Sequence, residues 1–332
     1  MINIDKHKKK YLILSSIIGG CLLLISWPLK GFPLFSLISL VPFLWIIDYI
    51  EHNRDKFIGG AIFRYTYPGF LLWNAFTSYW IWYATAVGSV FVILANAALM
   101  SLTLQMAFNL KKWLGSTNRI GIIYVILWIC FEYLHFNWQL SWPWLTLGNV
   151  FATMPSIVQW YEFTGVLGGT LWIWLINILI YLIIRFIYYK NFKDKAFYIY
   201  AFLFVFILLT PIIYSLIRYS NIQLDNDNKV KVLVLQPNLD PYEEEFNISP
   251  QDNIAIIKKL INNVNAKDVD FIVAPESNIQ EGIWEDEFDS SYSVNEIVNI
   301  LKDKYPNALY ITGASTYKAF KDGEKITSTA RY

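Results

Sequence analysis

The stretch Val269–Asn278 reads VDFIVAPESN, an apolar run that stops abruptly at Pro275-Glu276-Ser277. Phe271-Ile272-Val273 has the continuous apolar character of a strand buried in a parallel sheet. A carboxylate placed directly after such a strand stands where open α/β sheets bind their ligands. On position alone two readings of Glu276 stay open. It is a general base presented to a substrate, or it is a solvated loop or cap residue. Pro275, which stiffens the turn, and Ser277 and Asn278, which offer hydrogen-bonding groups, favour the first.

Neighbouring segments extend the pattern. NKVKVLVLQPN, residues 228–238, reads as a further strand buried on both faces. Ser249 and Pro250 mark a helix start, after which Ile254, Ile257, Leu260 and Ile261 recur at helical spacing. SVNEIVNILKDKY, residues 293–305, predicts a second helix, and NALYITGAST, residues 307–316, a third strand. KDGEKITSTARY, residues 321–332, predicts a hairpin turning at Asp322-Gly323. Strands alternating with helices predict a layered α/β sheet.

The sequence before this region is of another kind. Of 332 residues, 55% are apolar and only 16% charged, well under the roughly 25% of soluble chains. Residues 221–332 hold 11 Lys/Arg against 19 Asp/Glu, whereas residues 1–220 hold 16 against 7. A spanning helix needs about 20 mostly apolar residues. By that measure there are seven candidates: Tyr11–Trp27, Pro33–Ile50, Phe57–Tyr83, Gly88–Leu110, Ile120–Phe136, Val166–Tyr189 and Ala196–Tyr219. The first has the basic start of a signal peptide, but no small-residue cleavage site follows, so an uncleaved span is expected. Cys21 and Cys130 lie within apolar runs, and His7, His52 and His135 are scattered, so neither a disulfide framework, a metal nor a cofactor is expected.

Lys and Arg flanking spans stay on the cytoplasmic side. Lys6, Lys8, Lys9, Lys10, Arg54, Lys56, Lys111, Lys112, Arg119, Arg185, Lys190, Lys193 and Lys195 all fall at one set of ends, while the alternate loops contain Lys30. The N-terminus is therefore expected inside, and with seven spans everything after Tyr219 is expected outside.

With VKVLVLQPN before it, VDFIVAPESN resembles the first catalytic segment of the nitrilase superfamily, which carries a Glu-Lys-Cys triad on an αββα sandwich. Placed outside a multi-span domain, it is similar to the apolipoprotein N-acyltransferase family of bacterial lipoprotein maturation. WPWLTLGN, Trp142–Asn149, matches that family's Pro-Trp-Leu-x-x-Gly outer-loop segment. The resemblance implies a membrane all-α N-terminal domain of about seven transmembrane helices at residues 1–220. It further implies a partial α/β nitrilase-like domain at residues 221–332. The implied reaction moves a fatty acyl group from a phospholipid donor to the α-amine of a diacylated apolipoprotein, at the bacterial inner membrane with the nitrilase-like domain periplasmic. Membrane lipids are expected partners, and nucleic acid is not. Glu276 is the implied general base, and Trp144, Phe246, Ser277 and Asn278 the implied substrate-binding residues.

The match covers the front of the family. The later lysine and cysteine segments are not found, and no cysteine follows Cys130. Lys318, Lys321 and Lys325 flank the expected turn instead, and the family's final span is also missing. The sequence reads as the leading part of a longer gene product, inactive alone. Two rivals are a non-catalytic lipid- or lipoprotein-binding homologue and a transporter with an external cap.

Several residues carry double readings. Trp144, in a loop with Trp138 and Trp142, lines a lipid path or belongs to the interfacial aromatic belt. Phe246, near Tyr242, is a lid over acyl chains or part of a solvated acidic loop. Glu132 and His135 share one face of the fifth span, where a structural hydrogen-bonded pair is expected. Arg64 snorkels to headgroups, and Glu162 either orients a headgroup or faces water.

Overall fold

The computed structural model describes residues 6–27, 31–114, 121–222, 229–239, 247–266, 268–276 and 278–319. It divides into two compact units, Met1–Ile222 and Gln223–Tyr332. The sequence-predicted hairpin at 321–332 lies outside the described residues, as do Phe246, Tyr242 and Ser277.

The first unit is helical: α1 (Lys6–Ser26), α2 (Ser36–Ser39), α3 (Val41–His52), α4 (Ala61–Thr77), α5 (Ala86–Trp113), α6 (Ile122–Asn137), α7 (Tyr161–Tyr188) and α8 (Lys195–Ser220). Among the described residues five segments are long and apolar enough to cross a membrane: α1, the α2–α3 segment, α5, α7 and α8. The expected third and fifth spans are shorter, with α4 at 17 and α6 at 16 residues. At 1.5 Å per residue these helices reach roughly 25 Å against a hydrocarbon core of about 30 Å. The expected fourth span is instead longer than its apolar run, because the Thr85 hydroxyl accepts from Gly88 N and starts α5 early.

Helix packing here depends on small residues and on polar groups that repair broken backbone. Pro68 interrupts the hydrogen-bond ladder inside α4. Ser16 of α1 answers this locally, since its hydroxyl donates to Thr66 O at 3.1 Å and accepts from Gly69 N at 2.8 Å. Gly20 makes the close approach possible, because a Cβ there would run into the backbone of Gly69. The expected second span is also broken, at Leu40 before Pro42. Asn177 of α7 bridges the break: its Oδ1 accepts from Leu40 N at 2.8 Å and its Nδ2 donates to Ser36 O at 2.9 Å. Around these joints the core is aromatic, with Phe43 stacked on Phe70 at 4.5 Å and Trp128 5.5 Å from Trp174.

Three of the basic residues at the positively charged ends are ion-paired. Lys111 is 1% exposed and donates to both oxygens of Glu51 at 2.7 and 2.8 Å. Arg54 reaches the same carboxylate at 3.1 Å, and Arg185 lies 3.4 Å from Asp48.

In the second unit β1 (Val232–Val234), β2 (Phe271–Val273) and β4 (Leu309–Ile311) form a parallel sheet in the order β1-β2-β4. The register pairs Leu233 with Ile272 and Ile272 with Tyr310. The crossovers carry α9 (Pro250–Asn262) and α10 (Tyr292–Lys304). Ser249 caps α9 as the sequence reads, its hydroxyl accepting from Asp252 N at 3.1 Å with Pro250 at the first position. Ile254, Ile257, Ile261, Ile272, Ile297 and Ile300 make the core.

Two expectations change. The segment 307–316 is two strands, split at Thr312-Gly313. Its second half, β5 (Ala314–Tyr317), pairs with β3 (Ile279–Trp284), a strand the sequence reading missed. The strand at 228–238 is buried on one face only: Leu233 points toward the helices, while Val232 and Val234 are exposed, as are Leu309 and Ile311 on β4. Both helices pack on the same side, so a sheet whose sequence is apolar on two faces keeps one face open.

Candidate functional site

Glu276 follows the central strand β2 and sits in the turn before β3, exposed. The turn is set by its neighbour strand. Gly313, just past β4, donates its N–H to Pro275 O at 3.2 Å and accepts from Ile279 N at 3.2 Å. A Cβ on Gly313 would collide with the Glu276 backbone, so only glycine permits this approach. Asn238, beyond β1, has φ of 56°. The edge formed by the C-terminal ends of β1, β2 and β4 therefore carries Asn238, Glu276 and Gly313.

Asn278 is placed differently from a surface recognition group. It is buried; its Nδ2 donates to the Tyr310 hydroxyl at 3.1 Å, and its backbone oxygen accepts from Asn253 Nδ2 at 2.6 Å. Burial pushes the Tyr310 hydroxyl up to about 12, against hydrogen bonds with Asn278 and Thr312 that pull it down. Tyr310 therefore stays protonated at neutral pH. Together Asn253, Asn278 and Tyr310 tie α9, the Glu276 turn and β4 into one polar joint behind the exposed carboxylate.

A second carboxylate, Glu281 on β3, escaped the sequence reading. It accepts from Ser291 Oγ at 2.8 Å, Tyr292 N at 3.1 Å and Ser293 N at 2.8 Å, closing the N-terminus of α10. Burial alone would raise it, but these bonds outweigh burial and hold the carboxyl below its usual range. Its acceptors are all engaged in the cap. Its readable signal was a Ser-rich helix start; the partner, ten residues upstream, was not.

In the first unit the Pro-Trp segment is a chain of 3₁₀ turns, Pro143–Leu145 and Leu147–Thr153. Trp144 is 54% exposed and stands edge-on to Trp80 at 6.2 Å and Trp142 at 6.1 Å. Glu132 and His135 are both buried but are not bonded to each other among the described residues. Glu132 turns toward Trp128, Leu147 and Thr170. His135 lies edge-on between the rings of Phe131, at 4.6 Å, and Trp138, at 5.2 Å. The two side chains lie three apart on α6 but serve different neighbours. Glu162 accepts from the Tyr214 hydroxyl at 2.6 Å and lies 3.4 Å from Arg218, which joins α7 to α8. Among the described residues no group of His, Cys, Asp and Glu could hold a metal.

Residues 19–179, which contain this loop and its buried carboxylate, match the family model described as the apolipoprotein N-acyltransferase N-terminal domain. Over these residues the chain is similar to the N-terminal domain of the apolipoprotein N-acyltransferase family. Among curated relatives, an apolipoprotein N-acyltransferase of Chlorobaculum tepidum is 27% identical over 268 residues, covering 79% of this chain and 48% of the relative. Apolipoprotein N-acyltransferase 1 of Treponema denticola is 23% identical over 297 residues, covering 86% and 52%. One of Geobacter metallireducens is 26% identical over 181 residues, covering 52% and 33%. The two longer matches exceed the length of the first unit, so they continue into the second. The chain spans about half the length of these two relatives.

Proposed function

We propose that this chain is the membrane domain and the leading part of the nitrilase-like domain of an enzyme of bacterial lipoprotein maturation. The reaction transfers a fatty acyl group from a phospholipid to the N-terminal diacylglyceryl-cysteine amine of an apolipoprotein. The observation that carries the reading is Glu276, exposed at the C-terminal end of the central parallel strand beside Gly313. Support also comes from the open apolar face of the β1-β2-β4 sheet, which is what one layer of a sheet-on-sheet sandwich leaves to its partner sheet.

In this reading Glu276 takes the proton of a cysteine thiol, and the thiolate attacks the ester carbonyl of the donor. A lysine stabilises the oxyanion of the tetrahedral adduct. Collapse breaks the ester bond, the departing alkoxide takes the proton held by Glu276, and a lysophospholipid is released, leaving a thioester. The acceptor amine then attacks the thioester, an amide forms and the thiol is restored. The proposal assigns the lysine and cysteine to the part of the relatives' length that this chain does not span. It places the second unit on the periplasmic side of the inner membrane, from the bias of positive charge, with seven crossings in the first unit. Trp144 is read as part of the donor's path. Phe246 and Ser277 keep their proposed substrate contacts, whereas Asn278 is read as supporting the Glu276 turn from behind.

Reading the gene beyond the codon for Tyr332 tests the assignment. A lysine segment, a cysteine segment and one further span support it. A stop codon there favours the lipid- or lipoprotein-binding reading. In the complete polypeptide, Glu276→Gln is expected to slow acyl-thioester formation by about 10²–10⁴-fold, as measured with a radiolabelled phospholipid. An unchanged rate removes Glu276 from the mechanism.

A further inference from the structure

Glu132 is 2% exposed on α6, and among the described residues no basic side chain pairs with it. Burying a carboxyl group in an apolar helix is costly unless its oxygens are engaged. They are engaged, by the tryptophan loop and by groups on α6 and α7. Oε1 accepts from Leu147 N at 2.9 Å and from Trp128 Nε1 at 2.8 Å. Oε2 accepts from the Thr170 hydroxyl at 2.6 Å, and the Thr170 oxygen accepts in turn from Gly148 N at 3.1 Å. At the same residue, the Tyr161 hydroxyl donates to Gly148 O at 3.0 Å.

Leu147 and Gly148 open the 3₁₀ run Leu147–Thr153, and the first amides of a helical turn have no partner of their own. Glu132 supplies both, one directly and one through Thr170. Gly148 is seated tightly as well, since a Cβ there would meet Val166 backbone. A carboxyl that only tied α6 to α7 would need no bond to the loop backbone. Here two of the amides it serves belong to the segment three and four residues beyond the exposed Trp144.

We propose that Glu132 is the positioning residue of the tryptophan loop: it fixes Leu147-Gly148 and thereby holds Trp144 in place to meet the acyl donor. The last clause rests on the donor path proposed above; the anchoring itself does not.

The test uses the full chain with Cys21→Ala and Cys130→Ala and a nitroxide on Ala152→Cys, an exposed position in the same 3₁₀ run. Electron paramagnetic resonance then reads loop mobility, and native mass spectrometry reads the binding of phosphatidylethanolamine. With Glu132→Ala the label is expected to loosen several-fold and lipid binding to weaken about tenfold, a change of about 1.4 kcal/mol. Glu132→Gln keeps an oxygen for Leu147 N and Trp128 Nε1, so it should restore a near-native spectrum. Thr170→Val removes the link to Gly148 N and the hydroxyl's bond to Glu132 Oε2 but leaves the direct bond to Leu147 N, so it should loosen the label partially and keeps the test open if Glu132→Ala fails to fold. The anchor is overturned if the Thr170→Val and Glu132→Ala spectra both match the parent, or if Glu132→Gln is as mobile as Glu132→Ala. A loosened loop with unchanged lipid binding supports the anchor and overturns the donor path instead.

Discussion

At the scale of single residues, two carboxylates near the same turn do opposite things. Glu276 is left exposed by a turn that Gly313 compresses, whereas Glu281 spends both oxygens on the start of α10. Because the folded pKa of Glu281 is depressed, its contribution is fully present above the unfolded carboxylate value. It is lost as pH falls through the folded value. Glu281→Gln is expected to cost about 1 kcal/mol at neutral pH, the size of a lost helix cap. Hydrogen exchange of residues 292–304 in the full chain checks this. The difference between parent and variant should shrink below about pH 4, where the free carboxyl titrates. Glu276 was legible because a carboxylate after a buried strand is a local pattern. Glu281 was not, because its partners are set by where β3 meets α10.

Among elements, the first unit is joined at places where a helix is imperfect. Pro68 in α4 is answered by Ser16 of α1, and the break between α2 and α3 by Asn177 of α7. The ion pair of Lys111 with Glu51 ties α5 to α3 in the same way, with the ammonium buried. Lys111→Met leaves Glu51 with one fewer cation and is expected to destabilise the chain by about 3–5 kcal/mol. The paired change with Glu51→Gln should recover most of that loss. Thermal unfolding in detergent measures both, and equal losses for the single and double variants would count against the pair. Helix positions were readable from hydropathy to within a few residues. The joints were not, since Asn177 and Leu40 are 137 residues apart. Strand β3 was hidden for a related reason: its Gln280, Glu281 and Gly282 break the apolar pattern, and only pairing with β5 makes it a strand.

For the whole molecule, positive charge sits at one set of helix ends, and this bias predicts orientation. In a cysteine-free background, a thiol at Thr316 should react with a membrane-impermeant maleimide added outside spheroplasts. A thiol at Lys112 should react only after permeabilisation. The reverse pattern would turn the chain over and remove Glu276 from the outer leaflet. Local chemistry in the sequence determined that the part before residue 220 is rich in apolar helices, that strands and helices alternate after it, and where α9 begins. Hydropathy, capping and β-propensity act over a few residues, so they can be read in order along the chain. Only the tertiary structure decided that the sheet is covered on one face, that Asn278 lies behind the Glu276 turn, and that Glu132 serves a loop rather than His135. Those outcomes depend on which distant backbone amide a buried polar group can reach, a matter of packing geometry that no local pattern encodes.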